Sequence, residues 1–333
     1  MAMRGVNLGG WLVLEKWMTP ALFAGTDARD EYEFIQTPGG AKKLRKHHET
    51  FIQESDFAWL SEHAIEMVRI PVGYWILTGD EPYVPAIDRL DWAFRMAKKY
   101  NIEVLLCLHG APGSQNGQDH SGKVGEALWY KKPAYREQTI DVLERLATRY
   151  RTHPRFWGIE LMNEPKFGLF QLTLRRFYRE AYARLEPIVR PSTKIVFHDA
   201  FTPRLMNAVL GGPLGKVYMD IHWYHFTFLL YPYVPLYFYW WLVRWHGRLL
   251  ARLRHWQGIV IGEWSGVISH RLLRHYPSEQ HEKLQHENIA RQLQAYSAAD
   301  AWCYWTYKTE APGIWNYRSL VDDLETAELF SIE

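Results

Sequence analysis

A chain of 333 residues, 47% hydrophobic and 23% charged with a formal net charge of +2, can fill a large core and has no charge excess to draw it to nucleic acid or an acidic partner. Its two cysteines, Cys107 and Cys303, sit in apolar runs and read as buried free thiols; with no Cys-x-x-Cys, His-Glu-x-x-His or EF-hand spacing, neither metal nor cofactor is expected. The opening Met1-Ala2-Met3-Arg4 carries no secretory leader, so a cytoplasmic protein is expected, or a secreted one whose leader has been removed.

In chain order, short apolar runs predict strands at 5–8, 67–70, 103–108, 158–162, 194–197, 217–221, 259–261 and 301–305. Amphipathic patterns between them predict helices, among others at 87–100, 135–150, 172–188, 241–254 and 282–298. No Pro/Gly/Ser-rich linker, repeat or low-complexity tract divides the chain. Strands alternating with crossover helices give the α/β class, and eight of them predict a single (β/α)8 TIM barrel over 1–333.

In that fold, functional side chains gather at the carboxyl ends of the strands. The residues there are Arg69 after the second, His109 after the third, Asn163-Glu164-Pro165 after the fourth, His222-Trp223-Tyr224 after the sixth, Glu263 after the seventh and Trp305 at the eighth. One such residue would be a satisfied polar group in the core; a set spread over six strands argues for a shared cleft. Two glutamates at the ends of two strands are what glycosidic bond cleavage needs, one as proton donor and one as nucleophile or base. Aromatic residues make up 15% of the chain, with 16 Trp and 20 Tyr, a supply of rings for stacking on sugars even though any single ring is more often core.

One segment stands apart. Residues 226–243 carry no charge and include four tyrosines, Pro232 and Pro235. Its length is near the lower limit for a membrane span. The prolines, the tyrosines and its place between the sixth and seventh strands argue against spanning. It is read as an aromatic insertion at about 226–245, packed on the barrel and shaping the acceptor side of the cleft. A membrane-surface wedge and an oligomer interface stand beside that reading. The wedge draws on Arg244, His246, Arg248, Arg252 and Arg254, which alternate with Trp245, Leu249, Leu250, Leu253 and Trp256.

A longer ordered set of motifs spans nearly the whole chain. It comprises Arg4-Gly5-Val6-Asn7-Leu8-Gly9-Gly10-Trp11, Asp30-Glu31-Tyr32, Val68-Arg69-Ile70-Pro71-Val72-Gly73-Tyr74-Trp75, Leu108-His109-Gly110-Ala111-Pro112-Gly113, Asn163-Glu164-Pro165, Gly262-Glu263-Trp264 and Trp305-Thr306-Tyr307-Lys308. With these motifs the chain resembles glycoside hydrolase family 5, and within it the exo-β-1,3-glucanase subfamily known from yeasts. The resemblance implies a retaining hydrolase that removes glucose from the non-reducing ends of β-1,3-glucan, with Glu164 as acid/base and Glu263 as nucleophile. It gives Asn163 to the sugar 2-hydroxyl, Tyr224 to the nucleophile, His109 and His222 to hydroxyls or the acid/base, and Trp305 to the floor of the −1 subsite. Glu15 and Trp17 would close the non-reducing end, and Asp119 would accept a further hydroxyl. Arg69 is the cation expected to keep Glu263 ionised, while burial and the neighbouring carboxylate are expected to raise Glu164 and keep it protonated. Relatives usually carry an aromatic residue where this chain has Gln118, and Phe226 or Phe228 could supply a ring instead. Glucosides with an apolar aglycone, β-1,4 or β-1,6 linkages, and a non-catalytic glucan-binding barrel are the alternatives, the last disfavoured by the intact glutamates.

Overall fold

The apolar runs become strands because a parallel sheet wrapped by helices buries both of its faces; all seven residues of the second strand, for instance, are buried. The computed structural model describes residues 2–166, 168, 171–207, 209–210, 216–225, 235–323 and 330. The strands are β1 (Met3–Asn7), β2 (Met67–Gly73), β3 (Glu103–Gly110), β4 (Phe156–Glu160), β5 (Lys194–His198), β6 (Val217–His222), β7 (Gly258–Trp264) and β8 (Ala301–Tyr304). Each pairs in parallel with the next, and β1 pairs with β8 to close the barrel. The fold is the expected (β/α)8 barrel, and the two cysteines are free and buried as expected.

The helices are α1 (Glu31–Ile35), α2 (Gly40–Thr50), α3 (Glu54–Glu62), α4 (Ile87–Lys99), α5 (Pro133–Tyr150), α6 (Gln171–Leu185), α7 (Pro203–Met206), α8 (Leu236–Leu253), α9 (His270–Leu273), α10 (His281–Tyr296) and α11 (Tyr317–Val321). Their apolar stripes form the outer core: α4 buries Leu90, Ala93, Phe94 and Ala97 at helical spacing. Inside the barrel, Met67, Leu105, Val196, Val260, Ala301 and Cys303 pack together. Strand side chains alternate in direction, so Arg69, two residues on from Met67, also points inward, where it meets Glu160 of β4 and Asp220 of β6. An apolar plug thus supports a charged layer, and that layer supports the site.

Two predicted boundaries differ in ways that matter. Glu263 lies within β7 and not after it, because the ladder continues: His222 pairs with Glu263, and Trp264 with Tyr304. Helix α8 starts at Leu236, five residues before its predicted start. Pro235, taken as a breaker, is its N-cap residue, a position that needs no N–H donor. Leu236, Tyr239, Val243, Leu249, Leu250 and Leu253 are its buried face. The second half of segment 226–243 is therefore amphipathic helix, while its reading as a loop over 226–234 lies outside the described residues. Among the described residues no helix is long and apolar enough to cross a membrane.

Candidate active site

Arg69 organises the site from β2. It is fully buried and all five of its N–H donors are used. Nε donates to Glu160 Oε2 (2.8 Å), Nη1 to Glu263 Oε1 (2.9 Å) and Asn7 Oδ1 (2.9 Å), and Nη2 to Asn163 Oδ1 (2.7 Å) and Glu160 Oε1 (3.2 Å). Asp220 Oδ2 lies 3.6 Å from Nε. Gly262 makes room for this layer: a Cβ there would meet Asp220 Oδ2 at 2.1 Å, and the Gly262 N–H donates to Asp220 Oδ1 at 2.6 Å. Register shifts beyond Asp220 on β6 and beyond Ile261 on β7 flank Glu263, the kind of bulge that re-aims a side chain.

Glu263 receives Arg69 on one oxygen and Tyr224 Oη on the other, at 2.9 Å each. Burial raises its pKa above the ordinary 4.5, opposed by His222 and Arg69. Glu164 follows β4 with φ at +39°, a strained left-handed backbone for a non-glycine residue. That conformation is braced by Asn116 Nδ2 donating to the Glu164 carbonyl (3.0 Å) and by Gln115 Nε2 donating to the Asn163 carbonyl (2.9 Å).

His222 sits between the two glutamates. Its Nδ1 is 2.7 Å from Glu164 Oε1 and 3.4 Å from Glu263 Oε2, and its Nε2 is 3.2 Å from Asp220 Oδ2. Burial alone would hold this imidazole neutral, but Glu263, Asp220 and Glu164 raise its pKa well above 6.5. For Glu164, burial pushes upward, but the hydrogen bond and charge of His222, with help from His120, bring it down to about 2. This direction is opposite to the raised pKa expected of Glu164: the imidazole Nδ1 of His222, one hydrogen bond away, favours the ionised carboxylate. A shared contact atom also bounds the geometry: Glu164 Oε1 and Glu263 Oε2 are at most about 6 Å apart, which is compatible with the roughly 5–5.5 Å separation of a retaining pair.

Above these groups opens a cavity of about 480 Å³. Of the sequence-predicted residues, Glu15, Trp17, His109, Glu164, Tyr224, Glu263 and Trp305 line it. Arg69, Asn163 and His222 lie buried beneath. Asp119 is not among the lining side chains; it is half-buried and its Oδ1 accepts from the His120 N–H (3.0 Å). Burial first, and then the charge of Asp119, raise Glu15 well above the carboxylate range, while its Oε2 accepts from Trp17 Nε1 (2.8 Å). Trp17 meets Trp315 edge-on at 5.4 Å, and the two rings wall one side of the cavity. His109 lies parallel to Trp305, with centroids 5.6 Å apart, and burial keeps it neutral.

Three lining residues were not predicted: His120, Phe201 and Trp315. His120 reaches Glu164 Oε2 at 3.5 Å and Asn163 Nδ2 at 3.3 Å. Phe201 is 51% exposed on a backbone where it and Ala200 both have positive φ (58° and 49°). His198 Nδ1 accepts from the Ala200 N–H and Asp199 Oδ1 from the Phe201 N–H, both at 2.9 Å. The legible signal was His198-Asp199 ending β5; Trp315 had none.

Glu164, His198 and His222, and likewise Glu160, Asp220 and His222, bring ligand-type atoms within 4.8 Å of one another. The cationic charge of Arg69 within the second group, and the proton on His222 common to both, already balance these carboxylates, which makes the arrangement an ion-pair network.

A family model described as cellulase (glycosyl hydrolase family 5) matches residues 31–227. The chain is 34% identical to a probable glucan 1,3-beta-glucosidase A of Emericella nidulans over 370 residues, covering 96% of this chain and 88% of the relative. The chain belongs to glycosyl hydrolase family 5. A second relative of the same description, from Aspergillus niger, is 34% identical over 365 residues, covering 96% of this chain and 85% of that one. Among solved structures, rutinosidase from Aspergillus niger superposes with a TM-score of 0.81 at 20% identity, across 99% of this chain and 98% of its own, a likeness of fold.

For this family 5 hydrolase, Arg69→Met is expected to cost stability on the order of 3–5 kcal/mol, since it leaves Glu160, Asp220 and Glu263 buried without their guanidinium. Urea unfolding checks this; an unchanged midpoint would show that His222 alone balances the cluster.

Proposed function

We propose that the protein is a retaining exo-acting β-glucosidase of the glucan 1,3-β-glucosidase kind, with 1–333 working as one catalytic domain. The observation that carries this is the His222 contact common to both glutamates, at 2.7 and 3.4 Å. Glu263 attacks the anomeric carbon while the glycosidic C–O bond breaks. The leaving oxygen takes a proton from Glu164, which draws it from His222 Nδ1. Water then attacks the glycosyl ester, gives its proton to Glu164, and frees Glu263. Asn163 is assigned to the sugar 2-hydroxyl, His109 to a neighbouring hydroxyl and Trp305 to the sugar face. Asp119 acts through Glu15 and His120. The wall of Glu15, Trp17 and Trp315 favours release of single sugars, and the relatives' description as glucan 1,3-beta-glucosidases supports the linkage.

The leaving group is the open half of the specificity. Gln118 is exposed, and Phe201 offers its ring to the cavity that Glu164 lines. This favours, as a second reading, glucosides whose aglycone is apolar. Segment 226–243 is taken to shape the acceptor side at its start and to make a surface contact at its end, where Tyr237, Phe238 and Trp241 are exposed. Product analysis on laminarin, laminari-oligosaccharides, cellobiose and gentiobiose tests the main reading. Glucose as sole early product, from the first two only, is expected; an early ladder of oligosaccharides would refute exo action.

The pH profile of kcat/KM should be a bell. Glu263 must be ionised, and since its pKa is raised, the acid limb should lie above pH 4.5. The His222–Glu164 pair must hold a proton, and since His222 is raised, the alkaline limb should lie above pH 6.5. The same shift adds stability that is fully present below pH 6.5 and is lost as pH rises through the folded value. An alkaline limb below pH 6.5 would contradict the location of the proton.

A further inference from the structure

Between Asp220 and Glu263 the sequence contains no Asp or Glu, yet it carries Arg244, Arg248, Arg252 and Arg254. Arg254 pairs with Asp300; among the described residues, Arg244, Arg248 and Arg252 form no ion pair. Tyr237, Trp241, Arg244 and Arg248 follow helical spacing, so one exposed face of α8 is aromatic at its start and basic farther on. Tyr237 and Trp241 are 74% and 52% exposed, and the rings of Phe238 and Trp241 stack at 5.4 Å into one apolar ridge.

Behind this face lies a groove of about 420 Å³ between α8 and α10, with Trp240, Arg244, Arg248 and Arg291 on its walls. Gly247 lets the helices meet: a Cβ there would sit 3.1 Å from the Ala295 Cα. Arg291 stacks over the Trp240 ring at 4.3 Å and pairs with Glu287. The Trp240 Nε1–H is buried and has no acceptor among the described residues. The groove thus combines three guanidinium groups, geometrically suited to a phosphate, with an unused N–H donor.

We propose that this face docks on an anionic phospholipid bilayer, with the phosphate of an acidic headgroup seated in the groove and the aromatic ridge at the acyl boundary. A basic stretch continuous with exposed aromatic residues is the pattern of a helix lying in a membrane interface. A second copy is a poor occupant, because a two-fold contact would set Arg244 and Arg248 against the same arginines. Nucleic acid is disfavoured because the exposed rings gather at the start of the face, ahead of Arg244 and Arg248, and do not alternate with the arginines as a strand of stacked bases and phosphates would need. Helix α8 follows β6, so its aromatic start lies at the barrel end that bears the catalytic cavity. Docking brings the mouth of that cavity to the membrane surface, whatever the substrate.

The test is co-sedimentation of the full chain with vesicles of phosphatidylcholine alone or mixed with phosphatidylglycerol. Partitioning onto the mixed vesicles and its loss in high salt are expected. R244Q/R248Q should partition about 25-fold more weakly, each charge near the surface being worth about fivefold, and Trp241→Ala should also weaken binding. Both variants should hydrolyse a soluble aryl β-glucoside at the normal rate, which shows that they are folded. Several results would overturn the proposal: no binding to anionic vesicles, equal binding to phosphatidylcholine alone, or binding unchanged in R244Q/R248Q. So would tighter retention on single-stranded RNA than on vesicles, or a dimer that R244Q/R248Q dissociates.

Discussion

Glu263→Gln is expected to lower kcat on a β-glucoside by a factor on the order of 10⁵, the scale of losing a covalent nucleophile, with little change in thermal stability. The amide keeps the shape of the carboxylate and an oxygen for Arg69 Nη1 but cannot form the glycosyl ester. Stability should survive because Arg69 retains Glu160 through Nε at 2.8 Å, and His222 retains Glu164 and Asp220. Steady-state rates on an aryl β-glucoside, beside a thermal melt, check both halves. Residual activity near one hundredth of normal would remove Glu263 from the nucleophile's role.

Glu164→Ala should separate substrates by their leaving groups. A natural glucan, whose leaving oxygen needs a proton, is expected to lose roughly 10²–10⁴-fold. A dinitrophenyl glucoside needs no proton donor, so its first step should proceed nearly as fast as in the unaltered enzyme. Its second step still needs a base for water, so turnover should slow after a burst of dinitrophenol. A small anion such as azide, which needs no base, should restore turnover and yield the β-glucosyl azide. His222 is buried and is not among the residues that line the cavity, so it is not placed to act on the substrate in Glu164's stead. Equal losses on both substrates, with no burst, would contradict the role given to Glu164.

How much was legible follows from where each residue's partners lie. Polar residues ending apolar strands are a local pattern, and they led to Arg69, His109, Asn163, Glu164, His222, Tyr224, Glu263 and Trp305. What such a pattern lacks is distance between strands. Glu160 looks like one charge in an otherwise apolar strand, yet it is bidentate to Arg69, and Asp220 completes the layer. The direction of the Glu164 shift differs from the expected one for the same reason: the expectation weighed two carboxylates and not the histidine between them. Asp119 and His120 are neighbours in one short turn, and it is His120 that faces the cavity. Trp315 meets Trp17 across almost the whole length of the chain. The prolines before α8 read as breakers, although Pro235 caps the helix.

The central claim, a retaining displacement through Glu263, is tested most directly by trapping the intermediate. A 2-deoxy-2-fluoro-β-glucoside with an activated leaving group slows the second step more than the first and lets the glycosyl ester accumulate. Mass analysis of the digested protein is expected to find one fluoroglucosyl group, carried on Glu263 within Gly262-Glu263-Trp264. A label on Glu164, or an inactivated enzyme with Glu263 unmodified, would contradict the account.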